Sequence, residues 1–187
     1  MNERGLHSYQ RIIKKANRLF YMQGYNQTSI ADVANAVGIT KGNLNYHFRS
    51  KDDLLEAVIK FRKDSIEQML SEWELEYSDH KDRLRRFVQM MLNEEQNLIR
   101  YGCAVGSLNV ELAKYQQPMQ LKSREMFDLF RGYLEKSFRV IDKDKSESLS
   151  LHFLTMAQGA VLMSYVYADS DLLKQECNNI LDWIDTL

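Results

Sequence analysis

The sequence predicts an all-α chain, and three observations carry that expectation. One proline and eight glycines in 187 residues leave little turn material. Apolar residues recur at i, i+3, i+4 and i+7 along most of the chain, the period of a helix with one buried stripe. Hydrophobic residues make up 44% of the whole, enough for a substantial core.

Taken in order, the first helix is expected over residues 8–23. Ile12, Ile13, Ala16, Leu19 and Phe20 form its apolar stripe, and Gly24 ends it. In the second, Ile30, Val33, Ala34 and Val37 share one face, Ala34 is small enough to let another helix cross closely, and Gly38 can take the left-handed conformation that stops it. Thr40 can then cap a third helix anchored by Leu44 and Phe48. Two short helices joined this tightly read as a helix-turn-helix, whose second helix enters the major groove of DNA. Ser50 and Asp53 form a capping box for the fourth helix. Its stripe of Leu54, Leu55, Val58, Phe61, Ile66, Met69, Leu70 and Trp73 runs on without a break, so this helix should be a rigid element leading out of the N-terminal region. A fifth helix is expected over residues 81–100, with Leu84, Phe87, Val88, Met91 and Leu92 inward. Shorter and longer helices follow over residues 107–114, 119–140 and 146–168. The ninth starts at Ser170, read as its cap, and carries Leu172, Leu173, Ile180, Leu181, Trp183 and Ile184.

The net charge of −1 hides a division. Residues 1–60 hold nine Lys/Arg against five Asp/Glu, a balance of +4, and the remaining 127 residues are left at −5. A basic module on an acidic body suits a protein that offers one end to phosphates.

The third helix has the chemistry for that partner. Lys41 can pair with a phosphate as a point charge. Asn43 and Asn45 each offer a donor and an acceptor, which suits an adenine edge. Tyr46 and His47 can donate to the backbone. Thr28 and Ser29 open the second helix, where hydroxyls and N–H groups can hold an anion or simply cap.

Phe20, Gly24 and Tyr25, then Thr28-Ser29-Ile30, then Ala34 and Gly38, then Lys41-Gly42-Asn43-Leu44, Tyr46-His47-Phe48, and finally Ser50, Lys51 and Leu54 make a pattern that resembles the TetR/AcrR family of transcriptional repressors over about the first 60 residues. The resemblance implies DNA contacts from Thr28, Ser29, Thr40, Lys41, Gly42, Asn43, Asn45, Tyr46, His47 and Lys51. Asn45 stands where the family often has an aromatic residue. It also implies an N-terminal helix-turn-helix domain at 1–50, continuous with a helical regulatory domain for ligand binding and dimerisation at 51–187. The expected partners are a double-stranded palindromic operator, a small-molecule effector of unknown identity and a second copy of the chain. Tyr101, Cys103, Met126, Phe130, Phe153 and Met156 are the expected effector contacts, since methionine and aromatic rings pack adaptably around apolar ligands. The segment Gly102-Cys103-Ala104-Val105-Gly106-Ser107-Leu108 looks like one in the regulatory domain of a subgroup of the family. Cys103 is open to two readings, a thiol that senses oxidants or electrophiles, or a small residue where helices pass closely. Cys103 chemistry or a protein partner is the alternative switch.

Other classes lack support. The four histidines show no metal-ligand spacing, and no Ser-His-Asp set, glycine-rich phosphate loop or paired carboxylates stand out. No enzyme activity, cofactor or metal is therefore expected. No run of 18 apolar residues exists, and the start Met1-Asn2-Glu3-Arg4-Gly5 is polar, so neither a membrane span nor a signal segment is expected. Cys103 and Cys177 make no disulfide framework, which points to the cytoplasm. The last two helices carry surplus apolar surface, and Gly159-Ala160 would permit close approach in a four-helix dimer interface.

Overall fold

The computed structural model describes residues 3–187; Met1 and Asn2, part of the polar start, lie outside the described residues. Among the described residues there are helices and no strand. In order they are α1 (Glu3–Gln23), α2 (Ile30–Val37), α3 (Lys41–His47), α4 (Lys51–Glu76), α5 (His80–Asn93), α6 (Glu95–Tyr101), α7 (Ala104–Tyr115), α8 (Gln117–Ile141), α9 (Ser146–Tyr167) and α10 (Ser170–Asp185).

The chain divides into two compact units. The first combines the chain up to Ser65 with Ser107–Glu125, and the second combines Ile66–Gly106 with Met126–Leu187. The expected boundary at residue 50 is the start of α4 rather than the edge of a unit. Helices α4, α7 and α8 each contribute residues to both units.

In the first unit, α1 buries Ile12, Ile13, Ala16 and Phe20. It ends at Gly24, where φ is 87° and the N–H reaches the Phe20 carbonyl at 3.1 Å. Only glycine takes that backbone conformation without strain. Gly38 closes α2 in the same way at φ 76°. The Ile39 N–H then returns to the Ala34 carbonyl at 3.0 Å, so two carbonyls left open by the helix end are satisfied. Asp53 and Ser50 exchange hydrogen bonds at 3.0 and 3.2 Å, the capping box that starts α4.

The second unit is held by interlocking rings. Phe87 meets Phe130 and Phe153 edge to face, with centroids 5.4 and 5.3 Å apart. Trp73 meets Tyr133 at 5.9 Å, and the Arg86 guanidinium lies 4.4 Å from the Trp73 ring. Such pairs add to the burial of the rings themselves. The helix expected over residues 81–100 is two helices. The chain breaks at Glu94 and restarts with its carbonyl accepting from Asn97 and Leu98 at 3.0 and 2.9 Å. The Asn97 amide also donates to the Glu94 carboxylate at 2.8 Å. Neither glycine nor proline marks this break. The start of α10 is capped by Asp169, whose carboxylate accepts from Asp171 and Leu172, while Ser170 instead donates to Glu95.

Helix α9 is long and apolar enough, by length and composition, to cross a membrane. Ser150, Phe153, Leu154, Ala157, Ala160, Val161 and Ser164 are buried along one side, as in the core helix of a folded domain. Its other side leaves Leu151, Leu162, Met163, Val166 and Tyr167 exposed, with space open above Gly159. Ala160 turns inward, so of the expected pair only Gly159 is on the open face. The outward residues of α10 are polar, among them Asp171, Lys174, Asn178 and Asp182. Surplus apolar surface is thus a property of α9 and not of α10.

Candidate nucleic-acid interface

Short helices need their ends secured, because three or four turns of hydrogen bonding are not available to hold them. Helix α2 is secured by Ser29, which accepts the Asp32 N–H at 3.1 Å. In return, the Asp32 carboxylate takes the Ser29 N–H at 2.8 Å and its hydroxyl at 2.6 Å. Those donors hold the Asp32 carboxyl below the ordinary carboxylate range, the Ser29 hydroxyl contributing most. Helix α3 is secured by Thr40, whose hydroxyl accepts the Asn43 N–H at 3.1 Å. The Arg11 guanidinium on α1 donates to the Val37 carbonyl at 2.8 Å, a cation on the last turn of α2. Tyr9 stacks on Phe48 at 4.9 Å and fixes the far end of α3.

On this frame, Leu44 is buried and Lys41, Gly42, Asn43, Asn45 and Tyr46 face solvent. Tyr46 is 83% exposed, an unusual position for an aromatic ring. His47 is half-buried, its ring edge-to-face with Tyr46 at 5.3 Å and tilted towards Tyr9 at 6.3 Å. The outward row combines a cation, two amides, a phenol and a glycine that lets a backbone approach closely. That set can contact both phosphates and base edges.

Four of the ten residues singled out from the sequence have other partners. Thr28 is fully buried, and its hydroxyl donates to the Gly24 carbonyl at 2.7 Å, so it braces the α1–α2 loop and is not part of the exposed face. Ser29 and Thr40 serve as caps, and Asp32 already places an anion at the start of α2. The Lys51 ammonium lies 4.2 Å from the Tyr25 ring and donates to the Asn26 carbonyl at 3.4 Å. Burial there pulls its pKa below the usual lysine value. Sequence reading missed Arg11, Tyr9 and Glu111. The first two act across helix packing, and Glu111 acts on a loop 86 residues away along the chain, so no local spacing announces any of them.

The expected effector residues differ in burial. Met126 and Phe153 have no exposed surface and Phe130 is nearly enclosed, because they are packed in the core of the second unit. Tyr101, Cys103 and Met156 are half-buried. Two concavities in that unit share no residue with the six. One of about 290 Å³ is formed by the Leu92–Asn97 segment, and one of about 760 Å³ opens between Gln96, Ile99 and Arg100 of α6 and Tyr165, Val166 and Ala168. The Cys103 sulfur accepts the Gly106 N–H at 3.3 Å at the start of α7. Gly102 has φ 73° and ψ −166°, and a Cβ on Gly106 would fall 2.8 Å from the Gln158 side-chain oxygen. The two glycines of that segment are therefore explained by backbone conformation and close packing. Among the described residues no group of His, Cys, Asp or Glu could hold a metal ion.

Comparison with known proteins matches both parts of the chain. Residues 12–58 match the family model of bacterial regulatory proteins of the tetR family. Residues 81–177 match that of the LmrA/YxaF-like transcriptional regulator C-terminal domain. The HTH-type transcriptional regulator YxaF of Bacillus subtilis is 25% identical over 177 residues, covering 90% of each chain. The icaADBC biofilm operon negative transcriptional regulator IcaR of Staphylococcus aureus is 26% identical over 147 residues, 77% of this chain and 78% of IcaR. A crystal structure of a TetR transcriptional regulator from Legionella pneumophila superposes with a TM-score of 0.83 at 26% identity, covering 100% of this chain and 97% of that one.

Proposed function

The chain belongs to the TetR family of bacterial DNA-binding transcriptional regulators, which are not enzymes, and from that premise we propose that it is a homodimeric cytoplasmic repressor released from a palindromic operator by a small-molecule inducer. The observation that carries the reading is the outward row of α3. Lys41, Asn43, Asn45 and Tyr46 are exposed together on a helix whose ends are capped and whose inner side is sealed by Leu44. Lys41 and the caps' neighbours would register the protein on phosphates, while Asn43, Asn45 and Tyr46 would read bases. One such helix spans few base pairs, so useful specificity needs two heads on successive major-groove faces. The relative IcaR is a negative regulator, which favours repression. The apolar face of α9, with open space at Gly159, supports pairing with a second copy about a two-fold axis.

Induction would use the second unit. An effector among its helices, displacing side chains such as Met126, Phe130, Phe153 and Met156 or contacting Tyr101 and Cys103, would be felt by α4, which begins directly after α3. A tilt of α4 changes the spacing of the two heads. The effector shifts this equilibrium only through its differential affinity, typically about 1–3 kcal/mol, so operator affinity would fall roughly 5–150-fold. Selection of bound sequences from random genomic duplexes tests the reading: recovery of a palindromic site supports it, and recovery of none removes its main support. A mass spectrum of molecules that co-purify would identify the effector class.

The second reading rests on Cys103. Its sulfur sits at the first turn of α7 and accepts from the Gly106 N–H. Modification of that thiol would disturb the same helices from within. Replacement by serine distinguishes the two readings, because a pocket-switched repressor keeps its response.

A further inference from the structure

Glu111, on α7, holds the loop that leads into the DNA-binding helices. Its two carboxylate oxygens accept the N–H groups of Tyr25 and Asn26 at 2.9 and 2.6 Å. A Cβ on Gly24 would lie 3.4 Å from both oxygens, so the carboxylate also lies close against the turn that ends α1. Two consecutive main-chain donors between α1 and α2 thus end on one side chain from a distant helix, and neither neighbouring helix supplies them. Charge-assisted bonds of this kind are the stronger class.

The surroundings fix the loop from other sides. The Tyr25 phenol donates to Asp52, and the Gln116 amide donates to the same carboxylate at 3.2 Å. Burial first, and then Asp52, raise the Tyr25 phenol well above its ordinary pKa, so it stays a donor. The Thr28 N–H returns to the Tyr25 carbonyl at 3.2 Å. Gly24 through Thr28 therefore form one braced piece that ends at Ser29, the cap of α2. The Glu111 carboxylate is thus linked to the start of α2 through consecutive main-chain contacts. Helix α7 is continuous from Ala104, and its first turn is close-packed at Gly106 against Gln158 of α9.

We propose that Glu111 is a positioning residue for operator binding, through which α7 holds the α1–α2 loop in the DNA-competent arrangement and, when α7 shifts, lets it go. The proposal rests on the regulator reading above and adds a second lever to α4. Its sign separates it from simple electrostatics. Removing a carboxylate from a basic DNA-binding head should by charge alone tighten binding to a polyanion. Removing this one should weaken it.

The test uses the full chain with Glu111→Gln, which keeps size and one acceptor, and Glu111→Ala, which keeps neither. Amide hydrogen exchange without DNA reads the loop, and titration with the duplex selected by the wild-type protein reads function. In Glu111→Ala, exchange at Tyr25 and Asn26 should accelerate roughly tenfold or more, and operator affinity should fall by a similar factor. Glu111→Gln should lie between Glu111→Ala and wild type, with the salt dependence unchanged and amides of Leu44 and Phe48 still protected. Operator binding as tight as or tighter than wild type overturns the proposal, as does unchanged exchange at the loop. Loss of protection throughout α1–α3 in both variants also overturns it, because Glu111 would then be an ordinary part of the fold. A wild-type chain that selects no operator sinks the regulator reading alone, and the exchange measurement still decides whether Glu111 holds the loop.

Discussion

Helix α3 turns Lys41, Gly42, Asn43, Asn45 and Tyr46 to solvent, whereas α9 turns Leu151, Leu162, Met163, Val166 and Tyr167 outward and carries no Asp, Glu, Lys or Arg after Glu147. Both faces are exposed, and both belong to helices whose other side is well packed. They differ in the partner each can satisfy. Polar groups on α3 lose little by meeting a hydrated phosphate backbone, since charge and hydrogen bonds are exchanged for similar ones. The α9 face gains only by leaving water, which a second apolar surface provides.

The largest expected effect tests the α9 side. Leu162→Glu puts a charge on the apolar face, and an unpaired charge in a buried interface costs several kcal/mol. Association should weaken roughly hundredfold or more by sedimentation equilibrium, and operator binding should fall with it. A variant that dimerises like the wild type would show that α9 is not the interface.

On the α3 side, Tyr46→Ala should weaken operator binding roughly tenfold, in line with about 1–3 kcal/mol for a good base contact. At 83% exposure its removal should leave thermal stability within about 0.5 kcal/mol. A large loss of stability would mean that Tyr46 belongs to the fold instead. Asn43→Ala should change sequence preference, and Lys41→Ala should weaken all duplexes alike and flatten the salt dependence.

A smaller effect concerns the cap that orients α2. Ser29→Ala should cost about 1 kcal/mol in denaturant unfolding. The Asp32 carboxyl is held low by Ser29, so its contribution is complete above the unfolded carboxylate pKa and disappears as pH falls through the lower folded value. The gap between variant and wild type should therefore be full at neutral pH and narrow below about pH 4, leaving the part owed to the hydroxyl's bond with the Asp32 N–H. A gap independent of pH would mean that the reciprocal bond to Asp32 contributes nothing.

The mildest effect involves the two thiols. Burial pushes the Cys177 thiol up to about 11, so iodoacetamide near pH 8 should spare it while Cys103, which is half-buried, takes the label. Cys103→Ser should keep operator affinity within about twofold, since serine can accept the Gly106 N–H as sulfur does. Loss of the inducing response in that variant would move the switch from the pocket to the thiol.

What was legible in the sequence follows the range of the interactions. The caps at Ser29, Thr40 and Ser50, and the stops at Gly24 and Gly38, involve partners within five residues, and the helix-turn-helix could be read from them. The break at Glu94 could not, because it uses no glycine or proline, and a Glu followed three residues later by Asn is equally compatible with a continuous helix. Asp169 displaced Ser170 as a cap because either residue fits the pattern and geometry chose between them. Thr28 and Lys51 match the family pattern at positions associated with DNA, yet their polar groups turn to the Gly24 carbonyl and to the Asn26 carbonyl beside Tyr25. The expected effector residues were chosen by type, and methionine and phenylalanine are equally at home in a closed core. Glu111 was invisible because its role depends on a contact closed over 86 residues.

The discontinuity of the first unit also has a consequence for synthesis. The ribosome releases the helix-turn-helix first, and its caps can form as soon as those residues emerge, within short loops whose closure costs little. The segment Ser107–Glu125, which completes the unit and carries Glu111, is made only after about 40 further residues belonging to the other unit. A nascent chain ending near residue 65 thus has α2 and α3 but not Glu111, whose carboxylate accepts from the loop before them. Chain growth itself orders the events: the unit that holds the helix-turn-helix is begun first and finished late, after the Ile66–Gly106 part of the second unit has been synthesised.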